Sequence, residues 1–478
     1  MKYSSIHFIN FLVKMLPKGL MNQVFATISA SFSIFIAGSW VGWPSATHKS
    51  FENHQTGVEI NHTQLSWVVS CMDLGNFFIP LPAGYLMDRF GRKNTVIFLG
   101  PLYITSWTLT WLFDNVWALY IARLLGGAGK GISYTVVPIF LGEIAEVKIR
   151  GALSTIFAIQ LSFGLFFELV FSNIVNYRTL NMISTIIPII FFLTFIWVPE
   201  SPFYLLKKNR RDEAAKCLRW YRGGEDSELQ KMELNVQEDM KNKGTYKELF
   251  TNPKNLRVIC IIIIACFSQR AGGISNLIAF GIYTLPKSPP LFDSTIYMII
   301  FGAFQVIFGF VGMSLVDVLG RKPLLIISQV SLGLITFVHG LYFFFKTCMH
   351  VNVSEFIWVP CLCLELFSIM FSVGIGFIPV VLLGEMLPVN VRAHGSAVMS
   401  MTLAFFSFLA NKIFLGITDK FGCYVMFWIY SMVNLTSAFL IYKMAFETKG
   451  KTFSEIQEIL ELRIKPKKKQ QSIYSCKT

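Results

Sequence analysis

Twelve stretches of the chain are apolar enough and long enough to cross a bilayer: near 22-44, 64-86, 95-113, 117-141, 151-172, 180-198, 256-280, 294-316, 324-345, 355-383, 395-416 and 423-445. In hydrocarbon every backbone N–H and C=O must be satisfied within the protein, so segments of this length fold as helices. Twelve spans consume about 240 residues, and the remainder of the 478 is too dispersed for a large domain outside the membrane. The expected fold class is an all-α membrane protein of twelve transmembrane helices. A charged fraction of 15% excludes a cytosolic enzyme, since soluble domains carry about 25%. No grouping of nucleophile, base and oxyanion donors appears either, so the chain reads as a non-enzyme needing no metal or cofactor.

The net charge of +14 comes from Lys and Arg in short blocks between the spans, which suits an anionic leaflet and argues against nucleic acid. With both termini inside, about 33 of the 42 Lys and Arg fall in cytoplasmic segments and about five outside. The sequons at Asn61 and Asn352 then land outside the cell as expected glycosylation sites at a plasma membrane, while Asn434 falls within the last span as a chance match. Most of the nine cysteines, Cys71, Cys260, Cys266, Cys361 and Cys363 among them, sit in apolar runs and outline no disulfide framework. Residues 1-21 read as an uncleaved cytoplasmic lead-in, with Ile6 to Val13 interfacial. Residues 199-255 form the single hydrophilic insert, with a helical pattern from Arg211 to Tyr221 and a break at Gly223-Gly224. Residues 447-478 form a basic tail ending in Lys467-Lys468-Lys469.

Subtracting the spans exposes a repeat. Asp88-Arg89-Phe90-Gly91-Arg92-Lys93 after the second span recurs as Asp317-Val318-Leu319-Gly320-Arg321-Lys322 after the eighth. Gly142-Glu143 with Arg150 after the fourth span is echoed by Gly384-Glu385 with Arg392 after the tenth, at the same internal spacing. Pro199-Glu200-Ser201-Pro202 after the sixth span has its counterpart in Glu447-Thr448-Lys449-Gly450 after the twelfth. Three echoes in corresponding loops imply two six-helix halves, 22-198 and 256-446, with a solute site between them near the membrane midplane. The positive-inside bias accounts for the basic residues but not for the acids beside them. The expectation is therefore an inner gate of Asp88, Arg89, Arg92, Glu143, Arg150, Glu200, Asp317, Arg321, Glu385, Arg392 and Glu447, joined in one state and separated in the other.

These loops, with the run Pro138 to Leu153, the segment Pro199 to Leu206 and Gly384-Glu385-Met386-Leu387-Pro388, resemble the sugar porter family of the major facilitator superfamily, and within it the facilitated trehalose transporters. The resemblance covers about residue 22 to about 460 and implies passage of a sugar or polyol by alternating access. It also implies a site on the seventh and eighth spans at Gln269, Arg270, Ser275 and Gln305. The family's Q-Q-x-S-G-I-N reads here Gln269-Arg270-Ala271-Gly272-Gly273-Ile274-Ser275, and its tenth-span Trp is Val380. The eleventh-span Asn-Trp pair falls on Leu403-Ala404, and the fifth-span Gln on Ala158. A sugar held at about 1 mM has about 4 kcal/mol of binding free energy, and three lost hydrogen bonds at roughly 1 kcal/mol each remove most of it. Either other side chains compensate, or the solute differs, or flux is lost.

Charges within spans are costly, at least about 2.5 kcal/mol each. Arg123, Lys130 and Glu168 read as structural pairs or snorkelling groups, whereas Arg270 reads as functional: it can hydrogen-bond several hydroxyls or select an anionic solute. Proton coupling in the resembling family uses an acid in the first span. Asn22 to Pro44 contains none, which favours facilitated uniport and leaves Asp73 as a weak candidate. Three readings stay open: a facilitative sugar or polyol carrier, a carrier of another, possibly anionic, solute, and a low-flux transporter-like sensor.

Overall fold

The computed structural model describes residues 18–146, 149–223, 226–241, 244–286, 289–451 and 453–464. The expected interfacial segment from Ile6 to Val13 and the basic end of the tail lie outside the described residues. Every regular element among the described residues is helical. In chain order these are α1 (Lys18–Glu52), α2 (His62–Phe78), α3 (Pro80–Phe90), α4 (Arg92–Ile97), α5 (Leu99–Leu112), α6 (Val116–Ile144), α7 (Arg150–Ser172) and α8 (Tyr177–Phe195). The hydrophilic insert follows with α9 (Pro202–Lys207), α10 (Arg211–Arg222), α11 (Asp226–Lys241) and α12 (Tyr246–Thr251). Then come α13 (Pro253–Gln269), a π-helical turn (Arg270–Ile274), α14 (Ser275–Phe280), a 3-10 turn (Gly281–Thr284), α15 (Ser294–Leu319), α16 (Arg321–Thr347), a second 3-10 turn (Ser354–Phe356), α17 (Trp358–Val373), α18 (Ile378–Met386), α19 (Val389–Phe421), α20 (Cys423–Met444) and α21 (Phe453–Ile464).

Helix starts follow local chemistry. Asn61 caps α2 with a reciprocal Gln64 contact, Asn115 caps α6, Asn176 caps α8, and Ser201 caps α9 with Pro202 in its first turn. α10 ends where expected, on Gly223 in the left-handed region. Helix covers all twelve stretches read from the sequence, and among the described residues ten runs are both long and apolar enough to cross a membrane. The second stretch misses that length because it breaks at Ile79, before Pro80, which has no N–H to offer the preceding turn. The fifth, α7, contributes the shorter apolar helix Ile159–Ser172. The first helix runs past its expected end at residue 44 to Glu52 with Pro44 inside it. The tenth stretch is interrupted between α17 and α18.

Two large apolar clusters form the interior: one drawn from residues 26 to 221, the other from residues 249 to 460 with Val69, Leu165 and Leu169 added. A small third cluster lies among α9, α10 and α11. α1 and α7 cross at reciprocal glycines: a Cβ on Gly38 would stand 2.1 Å from the Leu161 carbonyl, and one on Gly164 1.9 Å from that of Phe35. Close backbone approach of this kind supplies dispersion contact where hydrocarbon provides no hydrophobic drive. The helices of the first set meet those of the second where α2 runs along α19, α7 along α15 and α1 against α14.

Candidate functional site

At one end of the helices the repeated loops build two near-identical arrangements. Arg92 donates from Nε and Nη2 to Glu143 Oε1 at 3.1 and 2.9 Å, and from Nη1 to Asp88 Oδ1 at 3.3 Å. Arg321 donates from Nε to Glu385 Oε1 at 3.0 Å, its Nη2 forms an ion pair with the same oxygen at 2.9 Å, and its Nη1 pairs with Asp317 Oδ1 at 3.0 Å. Glu200 and Glu447 do a different job: they accept backbone N–H bonds. Glu200 Oε1 takes those of Arg92 and Lys93 at 3.1 and 2.9 Å, and Glu447 those of Arg321 and Lys322, both at 3.0 Å. The second oxygens of Glu143 and Glu385 accept the hydroxyls of Ser201 and Thr448. Glu200 and Glu447 therefore close the starts of α4 and α16, where orphan N–H groups and the helix dipole attract negative charge.

Gly91 (φ +101°) and Gly320 (φ +93°) sit at these junctions, and an added Cβ would meet Glu200 Oε2 at 2.2 Å or Glu447 Oε2 at 2.6 Å. Only glycine combines that backbone with that approach. The two capping acids are electrostatically unequal. Burial pushes the Glu200 carboxyl above its usual range, against the N–H donors of Lys93 and Ser201 and the Arg92 charge. Burial acts in the same sense on Glu447, but the N–H donors of Lys449, Arg321, Lys322 and Thr448 outweigh it and hold that carboxyl below the usual range.

The structure thus brings together Asp88, Arg92, Glu143 and Glu200, and separately Asp317, Arg321, Glu385 and Glu447. Among the described residues no hydrogen bond or ion pair joins the two sets. Arg89 turns its guanidinium to the Tyr85 hydroxyl. Arg392 donates to the Leu387 carbonyl at 3.1 Å and keeps a buried Nε without a partner. The Arg150 side chain lies outside the described residues. At the opposite helix ends polar contacts do cross between the sets: Lys49 pairs with Asp293, whose carboxyl this contact holds low, and His62 Nδ1 lies 3.3 Å from Asp419. Asn61 and Asn352 are exposed, whereas Asn434 is buried and donates to the carbonyls of Gly272 and Tyr430.

Midway between the ends lies a cavity of about 30 Å³, lined by Asp73, Arg123, Lys130, Arg270, Ser275, Ser407 and Asn411 with apolar residues of α1, α2 and α14. Asp73 Oδ2, on α2, accepts from Ser407 Oγ at 2.8 Å and Asn411 Nδ2 at 2.9 Å, both on α19. Ser407 Oγ in turn lies 3.0 Å from Ser275 Oγ. Arg123 is satisfied by the carbonyls of Val68, Val69 and Trp40, and Glu168 accepts from Ser184. Of the four residues expected at the solute site, Arg270 and Ser275 line this cavity. Gln269 instead spends its amide on the carbonyls of Ile375 and Gly376, at the break between α17 and α18, and Gln305 is buried with Nε2 unpartnered. Ser407 and Asn411 escaped the sequence reading, although two polar residues four apart in an apolar stretch mark one helix face. No cluster of metal-binding side chains occurs among the described residues.

The family model described as Sugar (and other) transporter matches residues 21–460. The chain is 27% identical over 455 residues to the Facilitated trehalose transporter Tret1 of Drosophila willistoni, covering 94% of this chain and 52% of that protein. It is 27% identical over 454 residues to Tret1 of Polypedilum vanderplanki, covering 94% and 90%. The chain thus spans about half the length of some of the curated relatives it matches. Among solved structures it is similar to the major facilitator superfamily proton:xylose symporter XylE bound to 6-bromo-6-deoxy-D-glucose, with a TM-score of 0.73 at 21% identity, covering 92% of this chain and 99% of that one. The inward open conformation of XylE from E. coli gives 0.73 at 20% identity, covering 91% and 98%. The fold is that of the major facilitator superfamily.

Proposed function

Because the chain belongs to the Sugar (and other) transporter family, we propose that it carries a sugar or polyol, such as trehalose or a hexose, across the plasma membrane by facilitated alternating access. The observation that carries this reading is the polar cavity at the meeting of the two helix sets, where Asp73 of α2 is tied to Ser407 and Asn411 of α19. Polar groups at that depth are expensive without a ligand, water or partner. Arg270 and Ser275 contact the solute; Gln269 braces the wall through α17 and α18, and Gln305 joins the site as it opens.

The twelve helices divide into halves at 22-198 and 256-446, joined by the insert 199-255, with both termini cytoplasmic and Asn61 and Asn352 outside. Two separate apolar clusters and two duplicated loop networks support that division. Each network acts as a rigid knuckle at the inner end of its half, and the inner gate forms when the knuckles dock. Lys49 with Asp293 and His62 with Asp419 supply the opposing outer contacts, so breaking one set while making the other alternates access. Uptake of labelled trehalose, glucose, a polyol and a sugar acid by the full chain in liposomes tests this reading. Saturable, equilibrating flux of any of them is expected; folded protein that moves none overturns it.

A further inference from the structure

Resting on that transport reading, we propose that the solute is an anion: a hydroxylated carboxylate of sugar size, of the uronate or aldonate class. Three cations and one acid line the central cavity. Arg123 is spent on backbone carbonyls. Lys130 and Arg270 are not: among the described residues neither side chain makes a hydrogen bond or an ion pair, Lys130 is only 5% exposed, and Arg270 Nε is buried. Both also line the adjoining cavity beside Asn76 and Tyr134, so the two free donors stand on a wall shared by both spaces.

Among the described residues Asp73 forms an ion pair with neither of them and gives Oδ2 to Ser407 and Asn411, so one acid stands against three cations at this cavity. Two cations lining one low-dielectric cavity repel, and each carries the cost of lost hydration. Hydroxyls of a neutral sugar would accept hydrogen bonds from these groups and leave the excess charge in place. A carboxylate removes part of that charge and matches the guanidinium fork of Arg270, with the Lys130 ammonium as a second point of attraction. The hydroxylated remainder of the solute then faces Ser275, Ser407 and Asn411, which offer both donors and acceptors.

The test uses the purified full chain in liposomes, with labelled glucuronate, gluconate, glucose and trehalose as probes. Glucuronate or gluconate uptake should exceed glucose uptake roughly tenfold or more, as expected for a hydrogen bond to a charged group. Passive entry of a monoanion carries charge, so an inside-positive potential should speed it and leave glucose uptake unchanged. Arg270→Gln should cut anion uptake roughly tenfold or more, whereas Arg270→Lys keeps most of it. Because either variant risks poor folding, the wild-type protein supplies a second readout: glucuronate or gluconate should raise its thermal unfolding temperature and glucose should not. Flux of glucose or trehalose without sugar-acid flux or stabilisation overturns the anion assignment and leaves the transport reading intact. Folded wild-type protein that moves none of the four overturns both.

Discussion

Replacing Arg321 with Met tests how far each loop network is self-contained. The substitution removes one hydrogen bond and an ion pair to Glu385 and the pair with Asp317, leaving Glu385 with the Thr448 hydroxyl. Stranding one partner of a fully buried pair costs about 3–5 kcal/mol. Glu385 is 27% exposed and Arg321 14%, so water recovers part of that and the expected loss is about 2–4 kcal/mol. The equivalent Arg92→Met acts on a drier pair, 8% and 14% exposed, and belongs at about 3–5 kcal/mol. Adding Glu385→Gln to Arg321→Met should recover about 1–2 kcal/mol, because the stranded charge disappears. The informative control is the crossed cycle of Arg92→Met with Glu385→Gln, whose coupling should stay within about 0.5 kcal/mol of zero for groups that share no partner. The assay is unfolding of the detergent-purified protein by heat or SDS, followed by the fluorescence of its ten Trp. A large crossed coupling, or a double variant no more stable than Arg321→Met alone, would refute the view that each network closes within its own helix set.

The two capping acids should respond to pH in opposite senses. The low Glu447 carboxyl contributes stability above the usual carboxylate range that is lost as pH falls through its folded value, while the raised Glu200 contributes stability at low pH that is lost as pH rises through its own. Thermal unfolding of Glu447→Gln should therefore show a penalty at pH 7 that shrinks on acidification, and Glu200→Gln little or none at pH 7. Gly320→Ala and Gly91→Ala should each cost about 1–3 kcal/mol in the same assay, whereas Gly142→Ala, with nothing within 4 Å of the added Cβ, should be neutral or slightly stabilising. Flux should equilibrate at the potential imposed and be indifferent to a protonophore at fixed potential; a protonophore-sensitive gradient would assign a coupling acid that the stretch Asn22 to Pro44 lacks. A tag after Thr478 should be reachable only in permeabilised cells, and glycan should appear at Asn61 or Asn352 but not at buried Asn434.

Helix positions were legible in the sequence because an apolar stretch in lipid has one way to satisfy its own backbone. The loop partners were legible too, since the acids at 143, 200, 385 and 447 recur beside the same basic residues. Their division of labour was not: that Glu143 and Glu385 hold guanidinium groups while Glu200 and Glu447 hold backbone N–H groups depends on where helix ends meet in space. Nor does periodicity reveal that the Gln269 amide is consumed by a broken helix 106 residues away. Lys130, read as paired or snorkelling, and Arg270, read as functional, line one cavity because α6 and the π-helical turn converge there, and among the described residues neither forms an ion pair. The sequence by itself determined which segments are long apolar helices and which loops repeat one another, because hydration cost is carried by each segment alone. Which charges face each other was decided only by tertiary packing, because that depends on the relative rotation of helices far apart in the chain.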